Sequence, residues 1–452
     1  MIGYADTLAA LARLERFGVR LGLENMRASC AALGAPERAA PVLHVGGTNG
    51  KGTTAEALAG LAAAHGLAAG LYTSPHLVDL RERIRVAGRP AAAEAVAAAW
   101  RRIAPEVERR RMTYFEATTL IAFLVFEAAG VDVAVVEVGL GGRLDATNVV
   151  HPELAVVTNV GRDHERHLGT EPAAIAREKA GIFTPGRPAL VGDPGPPEVR
   201  AAFRDVATQV VAPLEFMTDV VKLDVKSVTR AGTRFDWAGP GIDRPDLEIP
   251  LAGAPFAADA ALALRAWDRF AADRGIEVEE SAVRESLAAL APPGRVEWLD
   301  AGGAPALLDV AHNPEAVEGL AATLAALGGG PSAFVVGILA DKAWEAMLDA
   351  LEPAASRAWL CGLATAPADR RLEEGAAARG VAMRPWVEWA GSVAGGLAAA
   401  RGEVAAGRAE RIVVTGSFYT VGEALIALGV ARPGEPWLSR RRMAGAGAGA
   451  GR

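Results

Sequence analysis

PVLHVGGTNGKGTT, residues 41–54, decides the fold: an apolar run bounded by glycine, a glycine-rich turn, then a helical segment read from Thr53 to His65. A strand followed by such a turn and a helix is the setting in which a loop can cradle phosphate. Gly46, Gly47, Gly50 and Gly52 leave backbone N–H groups free to turn toward one anion, and the helix N-terminus adds its dipole. Lys51 can reach the β and γ phosphates of a nucleotide, and the Thr53 hydroxyl can bind Mg2+. The spacing departs from the usual G-x-x-x-x-G-K-S/T, because Gly52 stands between lysine and threonine. The plain alternative is a glycine-rich turn with a solvated lysine. Four glycines around one lysine in this setting argue against it.

Outward from this stretch, strands and helices alternate to the end of the chain, which predicts α/β architecture with largely parallel sheets. AGLYTS (69–74), VDVAVVEV (131–138) and LAVVTNV (154–160) read as further buried strands, since near-continuous Val, Ala and Leu suit strands covered on both faces. Residues 220–237, VVKLDVKSVTRAGTRFDW, alternate differently and predict a small antiparallel insertion. The Pro/Gly stretch APPGRVEW (291–298) marks a domain boundary. Beyond it ALLDV (306–310), SAFVVGIL (332–339), RAWLCGL (357–363) and RIVVTGS (411–417) each precede a helical pattern. The expected organisation is a P-loop ATPase-like domain over 1–293 and a smaller Rossmann-like domain over 294–437, followed by a disordered tail over 438–452.

Composition excludes several functions. At 452 residues, 51% of them apolar, the chain can bury two cores. Lys plus Arg number 47 against 54 Asp plus Glu, a net charge of −7, with no basic block to form a nucleic-acid groove. Anionic substrates must be met by a local site and by metal ions. Cys30 and Cys361 are far apart and outside any metal-type spacing, so each reads as a small buried apolar residue. The opening MIGYADTLAALARLERFG reads as an amphipathic helix and not as a signal peptide, and no apolar run is long enough for a membrane span. A cytoplasmic monomer acting on small molecules, with no nucleic-acid or membrane partner, is the expectation.

Four other segments carry chemistry. In EVGLGGRLDATN (137–148), Glu137 closes a buried strand, at the sheet end where ligands of α/β folds gather. Its carboxylate needs a cation or donors to offset desolvation, and Mg2+ suits it; an exposed strand-end glutamate is the alternative. TNVGRDHERHLG (158–169) offers His164 as a metal ligand with Asp163 beside it, although a lone histidine is more often a loop or core residue. Lys179, in AREKAGIF (176–183), reads on its own chemistry as a solvated helix residue, since an ammonium repels Mg2+. DVAHNPEA (309–316) and TGSFYTVGE (415–423) set Asp309, His312 and Ser417 where strands meet helix N-termini, and helix capping would explain either.

GTNGKGTT (47–54), TSPHLVDLRERI (73–84), YFEATT (114–119), EVGLGGRLDATN, DHERHLG and AREKAGIF, taken in order, resemble the folylpolyglutamate synthase and dihydrofolate synthase family of the Mur ligase superfamily. DVAHNPEA, TGSFYTVGE and LGLENMRASCAALGAP (21–36) extend the resemblance over nearly the whole chain. It implies that Gly47, Thr48, Asn49, Gly50, Lys51, Gly52, Thr53 and Thr54 hold ATP, with Arg295 and Asp309 reaching the nucleotide from the second domain. It implies one Mg2+ on Thr53 and Glu137 and a second on Ser74, His164 and a carbamylated Lys179, the modification turning a cation into a carboxylate-like ligand. Lys51, Lys179 and His164 are the implied catalytic residues. Asp145 is implied at the pterin end of the acceptor, and His312 and Ser417 near the incoming L-glutamate. The chain departs from the family pattern at Pro255, Phe256 and Asp259, and Val310 and Thr184 replace a frequent Gly and Lys.

The reaction so implied joins L-glutamate to dihydropteroate, to reduced folates, or to both, through an acyl phosphate, with the bifunctional form favoured. Closure about residues 292–294 would exclude water. Three alternatives stand beside it: a Mur-type ligase acting on a cell-wall precursor, a P-loop kinase or GTPase, and a non-catalytic nucleotide-binding module. The kinase has no need of DVAHNP or of a second Rossmann-like domain.

Overall fold

Val42–Gly46, here β1, is buried at every position and so requires cover on both faces. The computed structural model, which describes residues 2–18, 20–164 and 168–438, provides it. β1 lies inside a sheet with β2 (Ala69–Tyr72), β3 (Ile84–Val86), β4 (Arg89–Pro90), β5 (Val133–Glu137), β6 (Leu154–Val157), β7 (Ala189–Val191) and β8 (Leu214–Phe216). The order is β4-β3-β2-β5-β1-β6-β7-β8, parallel from β2 to β8 with β3 and β4 antiparallel at one edge. Leu43 and Val45 pack beneath helices Lys51–Ala64 and Ala254–Arg274, while Val42 joins the opposite core with Tyr114–Ala129. The helix after the glycine turn begins at Lys51, two residues earlier than its sequence pattern suggests.

The antiparallel insertion is real and longer than expected: β9 (Lys222–Thr229), β10 (Gly232–Gly239) and β11 (Ile242–Ile249) form a three-stranded sheet of order β11-β10-β9. Its third strand, IDRPDLEI, carries a proline and three acids that hide the alternation. It survives because it is an edge, where a missing N–H costs no ladder bond. Phe235, Trp237, Leu247 and Ile249 face the core beneath Ala254–Arg274, and Trp237 Nε1 donates to Ala261 O at 3.2 Å.

Beyond residue 294 a third sheet forms from β12 (Glu297–Asp300), β13 (Pro305–Leu308), β14 (Ser332–Val336), β15 (Ala355–Leu360), β16 (Val387–Trp389) and β17 (Arg411–Thr415). Its order is β12-β13-β17-β14-β15-β16, parallel except for the β12–β13 hairpin. The edge strands β12 and β16 are short and only partly buried, so neither shows in the apolar pattern. The opening helix is observed over Tyr4–Ala12. Cys30 and Cys361 are free and buried, and no helix among the described residues is long and apolar enough to cross a membrane. Apart from Leu438, the tail expected to be disordered lies outside the described residues.

Leu58, fully buried on Lys51–Ala64, ties the glycine turn to the sheet. Leu58→Ala should destabilise this half of the chain by about 2–5 kcal/mol. The readout is a lower urea midpoint in the fluorescence of Trp237 and Trp267, which share that core; an unchanged midpoint contradicts the packing.

Candidate active site

In the central sheet, Val45 of β1 pairs with Glu137 of β5, so the glycine turn and the carboxylate leave the same edge side by side. Glu137 is 4% exposed, and its Oε2 accepts from Ser74 N at 2.8 Å. Burial pushes its carboxyl upward, opposed by the charges of Lys51, Arg295 and Arg83. A Cβ at Gly52 would sit 3.7 Å from both Glu137 oxygens. The unusual glycine between Lys51 and Thr53 therefore leaves the carboxylate open toward the loop. Lys51 Nζ donates to Thr48 O at 2.9 Å, and Thr53 Oγ1 is buried without a well-formed hydrogen bond, near the Asp259 carboxyl. Asp259 itself lies against Gly50, and burial pushes it to about 7, with Arg295 opposing.

The EVGLGGRLDATN loop docks onto the helix Pro172–Ala180. A Cβ at Gly142 would come within 2.8 Å of Glu178 O and 2.9 Å of Lys179 O, and Arg143 N donates to Glu178 O at 2.9 Å. This docking helps to bury Lys179, which is 2% exposed and not the solvated residue its own chemistry suggests. Burial, and then the charge of Lys51, lowers its ammonium to about 7. Asp145, 3% exposed, accepts from Leu140 N at 2.8 Å and Thr147 N at 2.9 Å, and burial raises its carboxyl.

The second half presents its own strand ends. Asp309, just past β13, accepts from Val296 N at 3.0 Å and Ala311 N at 2.9 Å, and burial raises its carboxyl against the charge of Arg295. The Arg295 guanidinium lies 5.2 Å from the Phe418 ring centre. His312 Nδ1 donates to Val310 O at 2.9 Å. Ser417 does cap a helix, accepting from Thr420 N at 3.1 Å, and its hydroxyl donates to Gly337 O at 2.9 Å. In the DVAHNPEA segment the cap is Asn313, not His312.

Asp163 and Asn49 join the halves. Asn313 Nδ2 donates to Asn49 Oδ1 at 2.9 Å and to Asp163 Oδ2 at 3.3 Å; His312 Nε2 lies 3.4 Å from Asp163, and Lys342 pairs with it. Burial alone would raise the Asp163 carboxyl, but the His312 hydrogen bond and the charges of His164, His312 and Lys342 hold it well below the usual range. Glu315 accepts from Arg162 N at 3.1 Å. His164 stands at φ 54 with Nε2 3.8 Å from Asp163. Lys342 and Arg83 escaped the sequence reading, though each sits in a segment bordering a strand end, the one signal available.

One cavity of about 720 Å3 receives nearly all of these groups: the phosphate loop, Ser74, Glu137, Asp145, His164, Lys179, Arg295, Asp309, His312 and Ser417. Thr54 is buried on the helix face beneath it and does not line it. Among the described residues no three His, Cys, Asp or Glu side chains cluster to hold a metal unaided. The buried Glu137 carboxylate and the Thr53 hydroxyl, which makes no well-formed hydrogen bond, nevertheless fit Mg2+, which commonly arrives with phosphate and keeps few protein ligands.

The Mur ligase middle domain matches residues 45–193, and the Mur ligase glutamate ligase domain matches residues 294–418. The chain is 36% identical to dihydrofolate synthase/folylpolyglutamate synthase of Escherichia coli K12, over 95% of this chain and 96% of that one. It is 34% identical to folylpolyglutamate synthase of Lacticaseibacillus casei, over 92% and 97%. Among solved structures, E. coli FolC in complex with DHPP and ADP superposes with a TM-score of 0.83 at 35% identity, covering 94% and 98% of the two chains. Mycobacterium tuberculosis folylpolyglutamate synthase complexed with ADP gives 0.85 at 33%, covering 96% and 100%. With its glycine turn, strand-end acid and second Rossmann-like half spanned by such matches, the chain belongs to the dihydrofolate synthase/folylpolyglutamate synthase family of Mur ligases.

Proposed function

We propose that this chain joins L-glutamate to the carboxylate of dihydropteroate and of reduced folates, at the expense of ATP and through an acyl phosphate. The observation that carries the reading is a single cavity in which the phosphate loop, Glu137 and the strand ends of the second half face one another. A volume of about 720 Å3 lies in the range of small-molecule sites. Relatives named as dihydrofolate synthase/folylpolyglutamate synthase, and a FolC structure with DHPP and ADP, support the substrate class. The two buried free thiols fit the cytoplasmic setting expected from the sequence.

Lys51 and the loop amides receive the triphosphate, with Arg295 and Asp309 meeting the nucleotide from the other side. Thr53 and Glu137 would hold one Mg2+, and Ser74, His164 and Lys179 a second; when bound, these ions neutralise charge on the phosphates. The acceptor carboxylate attacks the γ-phosphorus, and the bond to the β-phosphate oxygen breaks to release ADP. The amine of glutamate, received by His312 and Ser417, then attacks the acyl carbon; the C–O bond to phosphate breaks and the amine proton goes to solvent. The seam at Asp163, Asn313 and Lys342 keeps water from the intermediate.

Lys179 suits carbamylation because burial leaves much of its amine unprotonated near neutrality. Its Nζ adds to CO2 and sheds one proton, leaving an anion able to join Ser74 and His164. Stripping dissolved CO2 should lower turnover and bicarbonate should restore it. Isotope-labelled CO2 should give a carbamate signal absent from Lys179→Met, and turnover indifferent to CO2 rejects the modification.

ADP release should require both L-glutamate and a pterin acid, with 7,8-dihydropteroate and tetrahydrofolate each serving. Lys51→Ala should reduce it about a hundredfold or more. Glutamate-independent ADP release would favour a kinase or GTPase, and near-normal turnover in Lys51→Ala would remove the loop from the mechanism.

A further inference from the structure

Arg83 ends the short turn Leu80–Arg83 and is 8% exposed, yet among the described residues no carboxylate pairs with its guanidinium. Glu137 feels its charge without touching it, so the guanidinium keeps its terminal donors free, and buried donors of that kind are costly until an anion meets them. The arrangement around it is fixed. Arg83 Nε donates to His76 Nδ1 at 2.8 Å, and the Tyr114 ring centre lies 5.3 Å from the guanidinium carbon. With Nε committed to the histidine, the two terminal nitrogens form a planar fork suited to a carboxylate.

Its place in the cavity identifies which carboxylate. Arg83 O accepts from Thr73 N at 2.9 Å, which sets Arg83 beside Ser74, whose own N–H holds Glu137. Thr113, Phe115, Glu116 and Asp145 line the same cavity, and the Tyr114 ring beside the guanidinium sets Arg83 against the helix that carries the first three of them. Arg83 thus stands between the metal and phosphate end and the wall that would receive the ring system of an acceptor. Two anions, carboxylate and triphosphate, must meet there, and their repulsion has to be offset by a cation that does not protonate the nucleophile. A guanidinium, which stays charged throughout the accessible pH range, meets that condition.

We propose that Arg83 grips the carboxylate of the pterin acid at the point where it is phosphorylated. This rests on the ligase reading above, and the test separates the two. Binding of dihydropteroate, of its carboxamide and of ADP is measured for the wild type, for Arg83→Ala and for Arg83→Met, which keeps the stem without the charge. The wild type should favour the acid over the carboxamide by about tenfold or more, the scale of a charge-assisted hydrogen bond. Both variants should lose that preference while binding carboxamide and ADP within about twofold of wild type. Retention of the acid preference in a variant that binds ADP normally overturns the role of Arg83 and leaves the ligase reading standing. A wild type that binds neither pterin overturns the ligase reading, and this assignment with it.

Discussion

Glu137 is a carboxylate taken out of water at the end of a central strand, with a backbone N–H from Ser74 as its hydrogen-bond donor. A charge so placed is tolerable only if the surroundings supply positive potential. Lys51, Arg295 and Arg83 do so from three separate segments, and Gly52 keeps the space before the carboxylate clear. Parallel strands make this convergence possible, because β2, β5, β1 and β6 all deliver their carboxyl ends to one edge. The second half repeats the device. The ends of β13 and β17 set Asp309 and Ser417 on the wall of the same cavity, with the Ser417 hydroxyl donating to Gly337 O at the end of β14.

The central strands were legible because burial on both faces leaves an unbroken apolar run, and the phosphate loop because its glycines bracket a lysine. Edge strands were not. In β11 polar residues and a proline interrupt the pattern, and β12 begins within the Pro/Gly stretch that reads as a domain boundary. Such strands answer to their neighbours more than to their own composition.

The site divides along a similar line. Glu137 and Lys51 could be singled out from their positions in strand and loop. Lys179 could not, since a lysine in the last turn of a nine-residue helix ordinarily points to solvent. A loop some forty positions earlier, docked through Gly142 against the backbone of Glu178 and Lys179, helps to cover it. Asn313 looked like part of a capping motif and is one, but its amide nitrogen also reaches the other half of the molecule. A side chain with separate donor and acceptor ends can serve two elements at once, which local spacing cannot reveal.

Asn49 gives that double service a mechanical meaning. Its backbone carbonyl is held by Thr158 Oγ1 at 2.6 Å and Asn159 Nδ2 at 3.2 Å, while its side-chain oxygen receives Asn313 at the start of helix Pro314–Leu327. The cap on that helix uses the opposite end of Asn313, so the helix stays capped whether or not the seam is made. Parting the halves therefore exchanges these bonds for water without unravelling a secondary element. The glycine turn and the helix Pro314–Leu327 are thus joined through side chains, Asn49 with Asn313 and Asp163 with Asn313 among them, while each keeps its own backbone bonding.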